Sequence, residues 1–165
     1  MPAAAQGAGD DRYMLIPRTA IFVREGDSYL LIKGAPGKRL WPGKYNGIGG
    51  HVEPGEDVLA SARRELHEET GLDARLWLCG TVIVDAGERG IGLYVFTGEV
   101  TGGNLAASVE GAAEWISHDR MSLVPTVEDV PQLIARIHGM HRGDAPFSAR
   151  SYYDAGGKLR LEFSE

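Results

Sequence analysis

The chain has 165 residues, 43% hydrophobic and 24% charged, which is enough apolar content for one folded core and too little length to require a second. Its 17 basic and 23 acidic residues leave a formal charge of −6, which argues against a broad nucleic-acid surface. No apolar run nears the roughly eighteen residues of a membrane span, and the single cysteine, Cys79, excludes an internal disulfide, so the expected location is cytoplasmic.

Residues 1–11 are rich in alanine and glycine and lack both a basic start and an apolar segment. They read as a disordered tail and not as a signal peptide, ahead of one domain over residues 12–165. Residues 14–23 are apolar and β-branched enough for a strand, and Glu25-Gly26-Asp27 turns the chain into a second strand at 28–33, making a hairpin. Residues 34–45 hold three glycines and two prolines, too many breakers for regular structure. Around them stand Lys33, Lys38, Arg39, Trp41, Lys44 and Tyr45, which suit a loop that holds phosphate and stacks on a base, or equally a solvated hairpin loop. In Asn46-Gly47-Ile48-Gly49-Gly50 the glycines let backbone approach a ligand and leave the Gly50 carbonyl free to face a metal.

Pro54 and Gly55 then make a turn, Asp57 is placed to cap a helix, and Gly71 supplies the left-handed residue that ends it. Leu59, Ala62 and Leu66 form a stripe that packs on a sheet. Beside it Glu65, Glu68 and Glu69 fall within roughly a third of the helix circumference. Like charges three and four apart oppose a helix, and only Arg64 is near to offset them. Three hard oxygen donors on one face match what Mg²⁺ accepts, with Mn²⁺ as a substitute; an ordinary exposed acidic run is the plain alternative. Glu56 and Arg64 are placed to pair across the loop and the helix.

Further on, residues 75–84 and 91–100 read as strands joined by a turn at 85–90, Gly102 and Gly103 mark a break, and 114–117 is a short strand. Val130, Leu133, Ile134 and Ile137 describe a second helix, with Pro131 in its first turn, Asp129 at its N-cap and Glu128 just before. Residues 147–153 and 158–163 make a closing hairpin. His138 and His141 share a helical spacing, but no third ligand stands beside them, so a zinc site is not supported.

The run from Gly50 to Leu72 reads Gly, five residues, Glu56, seven residues, then Arg64-Glu65-Leu66-x-Glu68-Glu69-x-Gly71-Leu72, and this resembles the signature of the Nudix hydrolase family. The resemblance implies an α/β/α sandwich with a mixed β-sheet between helices. It also implies a metal-dependent enzyme that hydrolyses a nucleoside diphosphate linked to another group. Carried over residue by residue, it makes the Gly50 carbonyl, Glu65, Glu68 and Glu69 the metal ligands, with Arg64 and Glu56 holding the loop against the helix. Glu110, five residues before Trp115, stands where similar members carry a loop glutamate that reaches the metal. Glu65 or Glu110 is then the carboxylate that orients or deprotonates the attacking water.

The lead-in from Gly43 to Gly50, together with Glu128-Asp129, resembles the branch that destroys oxidised purine nucleoside triphosphates, the 8-oxo-dGTP type. In that reading Lys33, Asn46, Gly49, Gly50, Glu128 and Asp129 bind substrate, since an amide both donates and accepts and a carboxyl group accepts from purine N–H groups. Capping the helix is the rival role for Asp129. The expected reaction is cleavage of a nucleoside triphosphate to the monophosphate and pyrophosphate. Hydrolysis of a nucleotide sugar, ADP-ribose or a dinucleoside polyphosphate stays open, as does a nucleotide sensor without turnover, although the intact acids argue against the last. The expected partner is a small nucleotide, bound by a monomer or a homodimer.

Overall fold

The computed structural model of the chain describes every residue except Met1 and Asp10. Those two belong to the stretch expected as a loose tail and lie outside the described residues; within that stretch, Ala3–Ala5 form one 3-10 turn. Eight strands make one mixed sheet: β1 (Met14–Glu25), β2 (Ser28–Gly34), β3 (Tyr45–Asn46), β4 (Leu72–Ala86), β5 (Arg89–Gly103), β6 (Gly111–Ser117), β7 (Phe147–Tyr153) and β8 (Leu159–Phe163). β1 runs parallel to β5 and β4 parallel to β7, while β4–β5, β2–β6 and β7–β8 are antiparallel. Helix α1 (Val58–Thr70) and helix α2 (Val130–His138) close two separate apolar layers. Alternation along β1 feeds both layers: Ile21 and Val23 join Ala62 and Leu66 of α1, whereas Phe22 joins Leu133 and Ile137 of α2. This is the α/β sandwich with the sheet between helices. Among the described residues, no helix is long and apolar enough to cross a membrane.

Helix α1 starts and stops where the sequence expects. The Asp57 carboxylate accepts from the Ala60 N–H at 2.9 Å, and Gly71, at φ 76°, donates its N–H to the His67 carbonyl at 2.8 Å. Helix α2 differs at its start. Asp129 is helical in backbone conformation, and its side chain makes no cap hydrogen bond, so the capping role is corrected. Pro131 lacks an N–H to cap, and the helix is held by burial of Val130, Leu133, Ile134 and Ile137, about 1.5–3 kcal/mol for each large side chain.

The expected β1–β2 hairpin is real but paired only beside its turn, at Arg24–Tyr29 and Glu25–Ser28. Beyond it the strands part, and the segment from Tyr45 to Val52 enters between them. Its first residues pair with β2, as Lys33–Tyr45 and Ile32–Asn46. Its later ones bond to β1: Ile21 and Ile48 exchange hydrogen bonds of 2.6 and 3.1 Å, and the Val52 N–H donates to the Pro17 carbonyl at 3.1 Å. The glycine-rich lead-in is thereby built into the middle of the sheet and delivered to the N-terminus of α1. β4 and β5 are longer than expected. Gly102 and Gly103 do not end the strand: after a bulge between Asp73 and Ala74 they resume the ladder against Asp73 and Leu72, so pairing outweighs the weak strand preference of glycine.

Candidate active site

The acids of α1 do not share one environment. Glu68 is well exposed, with 59% of its side chain open to solvent, Glu65 is mostly covered at 13%, and Glu69 is buried on the stripe of Ala62 and Leu66. Burial, with the nearby Glu65 and Glu110 carboxylates adding to it, pushes the Glu69 carboxyl up to about 8. Lys38 and the Gly49 N–H act in the opposite direction and do not cancel it.

Arg64 organises the other acids. Its Nε donates to Glu56 Oε1 at 2.5 Å and its Nη2 to Glu56 Oε2 at 3.0 Å, a two-pronged pair that holds the Glu56 carboxyl near 2. Nη1 reaches Glu65 at 2.9 Å and Glu68 at 3.2 Å, and Nη2 also donates to the His51 carbonyl at 3.2 Å. The loop is thus tied to the helix as the pairing of Glu56 and Arg64 anticipates. Glu110 is ion-paired with Lys38, and both line a cavity of about 120 Å³ together with Glu69, Asn46, Gly49, Arg18 and Trp41.

Gly49 and Gly50 are required by close approach. A Cβ on Gly49 would overlap the Thr19 carbonyl, and one on Gly50 would stand 2.6 Å from the carboxyl carbon of Glu65. The Gly50 carbonyl is not free, contrary to expectation: it accepts the Thr19 N–H at 2.9 Å, which leaves one lone pair for another partner. The Thr19 hydroxyl is buried and has no hydrogen-bond partner among the described residues. Neither Thr19 nor Arg18 was legible as a site residue, because β1 reads only as a strand; the pairing of β1 with residues 48–52 is what brings them here.

Among the described residues, no three histidine, cysteine, aspartate or glutamate side chains stand together as a finished ion cage. The donors still suit a hard divalent cation. Three glutamates and a carbonyl offer oxygen donors, Glu65 packs directly on Gly50, and Glu69 carries a burial penalty that a cation would relieve. Arg64 and Lys38 occupy the carboxylates of Glu65, Glu68 and Glu110 in the meantime. Substituting Gly50→Ala pushes the Glu65 carboxylate aside, and the expected result is a loss of Mg²⁺-dependent turnover of at least about tenfold at nearly unchanged melting temperature. Wild-type turnover in this variant would show that Glu65 is not needed where it stands.

The residues expected to read a base divide into groups. The Tyr45 N–H donates to the Pro125 carbonyl at 2.8 Å and the Val127 N–H to the Tyr45 carbonyl at 2.9 Å. Asn46 and Glu128 are therefore the next residues on adjacent backbone segments. Asn46 Oδ1 accepts the Gly47 N–H at 2.8 Å, which fixes the amide and leaves its NH₂ to donate. Asp129 is half-buried and its carboxyl is raised above the usual range by desolvation. Glu128 is exposed and accepts from the Tyr153 hydroxyl at 3.3 Å. The Lys33 ammonium lies 5.6 Å from the Tyr45 ring centre, and neither it nor Glu128 nor Asp129 lines the small cavity. His138 and His141 do not form a pair: the first stacks on His118 at 3.9 Å and the second accompanies Asp144.

A family model described as the NUDIX domain matches residues 14–137. The chain belongs to the NUDIX family. Among curated relatives, the human 8-oxo-dGDP phosphatase NUDT18 is 36% identical over 97 residues, covering 58% of this chain and 28% of that protein. The nucleoside triphosphatase NudI of Escherichia coli is 41% identical over 49 residues, 30% of this chain and 35% of that one. The chain thus spans about a third or less of the length of these NUDIX relatives. Among solved structures, the mutator MutT protein of Bacillus halodurans superposes with a TM-score of 0.73 at 25% identity, covering 90% of this chain and 98% of that one.

Proposed function

We propose that the protein is a Mg²⁺-dependent pyrophosphohydrolase that cleaves a nucleoside triphosphate carrying an oxidised purine, such as 8-oxo-dGTP, to the monophosphate and pyrophosphate. The observation that carries the reaction is the buried Glu69, held near Glu65 and Glu110 with its carboxyl raised to about 8, in a NUDIX chain whose signature is intact. A divalent cation, when bound, draws charge from the phosphoryl oxygens and makes water acidic enough to attack phosphorus. The Gly50 carbonyl, Glu65, Glu68 and Glu69 would hold it. Arg64 keeps the loop and helix in register through Glu56. Glu110, which lines the same cavity as Glu69, or Glu65 orients the attacking water, and Lys38 is released from Glu110 to meet phosphate oxygens. Lys38, Leu40, Trp41 and Lys44 of residues 35–44 line this cavity beside Glu69 and Glu110.

The base assignment rests on the pairing of Tyr45 with residues 125–127, two segments that continue into Asn46 and into Glu128-Asp129. A fixed amide donor and a carboxyl group that keeps its proton more readily than usual match the mixed donors and acceptors of an oxidised purine. The names of two relatives, an 8-oxo-dGDP phosphatase and a nucleoside triphosphatase, fit the same substrate class. The test is a pyrophosphate-release screen over dGTP, 8-oxo-dGTP, nucleotide sugars and ADP-ribose, with Mg²⁺ and with chelator. Preference for 8-oxo-dGTP supports the proposal, equal rates on dGTP and its 8-oxo form remove the oxidised-base reading, and no turnover of any substrate leaves a nucleotide sensor. Asn46→Ala is expected to lower the 8-oxo-dGTP to dGTP ratio of kcat/KM by about tenfold; an unchanged ratio would clear Asn46 of base recognition.

A further inference from the structure

A cavity of about 620 Å³ lies away from the acids. It lies on the α2 face of the sheet, at the opposite end of β1. Arg18 lines the acidic cavity and Arg24 the large one; six residues along one strand separate them by about 20 Å. Strand register shows what forms the floor. Arg24 of β1, Glu99 of β5 and Arg75 of β4 stand side by side in one row across three neighbouring strands, and Phe22, Thr97 and Trp77 form the next row. The start of β4 and the end of β1 project past the cover of α2, whose last turn, at Ile137, supplies one wall, and Met140 and Arg142 of the following loop supply another.

Glu99 is flanked by two guanidinium groups and ion-pairs within 4 Å with neither. Arg24 is occupied in part, donating its Nε to the Gly26 carbonyl at 2.7 Å and standing 3.7 Å from Asp27. Arg75 and Arg142 have no carboxylate partner at ion-pair distance among the described residues. Asp27 beside Arg24 and Asp144 beside His141 offset part of the positive charge, which leaves Arg75 and Arg142 as the guanidinium groups placed to meet an anion. Trp77 is half-buried with one side packed on the core, so an aromatic wall adjoins the guanidinium groups. A volume of this size holds a small ligand, guanidinium groups bind phosphate through paired N–H donors, and an indole stacks on a flat ring.

We propose that this cavity is a second binding site that takes a mononucleotide, its phosphate on Arg75 and Arg142 and its base against Trp77, apart from the acidic site. Nothing in it resembles a catalytic centre, so its occupant is bound and not turned over there.

Titration of the full chain with AMP in the presence of chelator, followed by ¹H–¹⁵N spectra, tests this away from the cation-dependent site. The expected result is movement of the Trp77 indole N–H and of the amides of Gly98, Glu99, His141 and Arg142. Adenosine and inorganic phosphate should each bind at least about tenfold more weakly than AMP, because each lacks one half of the contact. The variant Arg75→Ala/Arg142→Ala, both exposed positions, should keep the wild-type melting temperature and weaken AMP by at least about tenfold. No shift at millimolar AMP, shifts confined to residues 46–51, equal affinity for adenosine, or an unaffected double variant would each overturn the proposal.

Discussion

Replacing Glu69 by glutamine lowers the turnover of the proposed pyrophosphohydrolase by at least about a hundredfold and leaves the fold intact. Glutamine keeps the shape of the side chain and one oxygen, so the buried stripe of Ala62, Leu66 and residue 69 still packs. What it removes is the charge that would hold a cation against phosphate. In chelator above pH 8 the variant should melt higher than wild type, since it no longer buries an ionised carboxylate. Glu68→Gln is expected to cause a similar loss of turnover with little change in melting, because that side chain is largely exposed and only shares Arg64. Kinetics and thermal melting of the two variants together separate a role in holding the cation from a role in packing. Wild-type turnover in both would remove the acids of α1 from the reaction.

Cation affinity should rise steeply with pH and then level off. The Glu69 carboxyl, raised to about 8, is mostly protonated at pH 6, and a cation must displace that proton. Linkage gives an increase in apparent affinity of about fiftyfold between pH 6 and pH 8, and less than about twofold from pH 8 to pH 9. The sign for stability runs the other way in the absence of cation. The folded chain binds the extra proton from pH 4.5, the ordinary value of a glutamate, up to about 8, so this group's contribution is full at low pH and is lost as pH rises through that window. Calorimetric titration with Mg²⁺ in buffers of different ionisation enthalpy measures both affinity and protons released. A flat affinity from pH 6 to pH 8, with no proton release, would show that Glu69 does not meet the cation.

The helix was legible because its signals are local. Asp57, Gly71 and the spacing of Ala62 and Leu66 set its ends and its buried side, and they act within one or two turns. The pairing of Arg64 with Glu56 could be read for the same reason, since a turn and a helix start fix the distance. The burial of Glu69 was not visible. It lies at the edge of the apolar stripe, and only the sheet beneath and the loop with Glu110 decide that it is covered. The splayed hairpin escaped sequence reading too, because the bonds from β1 to residues 48–52 are non-local. That same insertion explains why the Gly50 carbonyl is partly engaged and why Thr19 sits under the site. Asp129 shows the opposite error: its position suits a cap, but the preceding backbone, held by Tyr45, brings it into helical conformation.

The proposed reaction requires α1 and Gly50 to hold a divalent cation against a polyphosphate. Crystals grown with Mn²⁺ and a non-hydrolysable nucleoside triphosphate analogue, measured at the manganese edge, test it most directly. The expected map shows an anomalous peak bounded by the Gly50 carbonyl, Glu65 and Glu69, with phosphate oxygens on its open side. A map with the analogue bound and no peak there, or with manganese held by other residues, would contradict it.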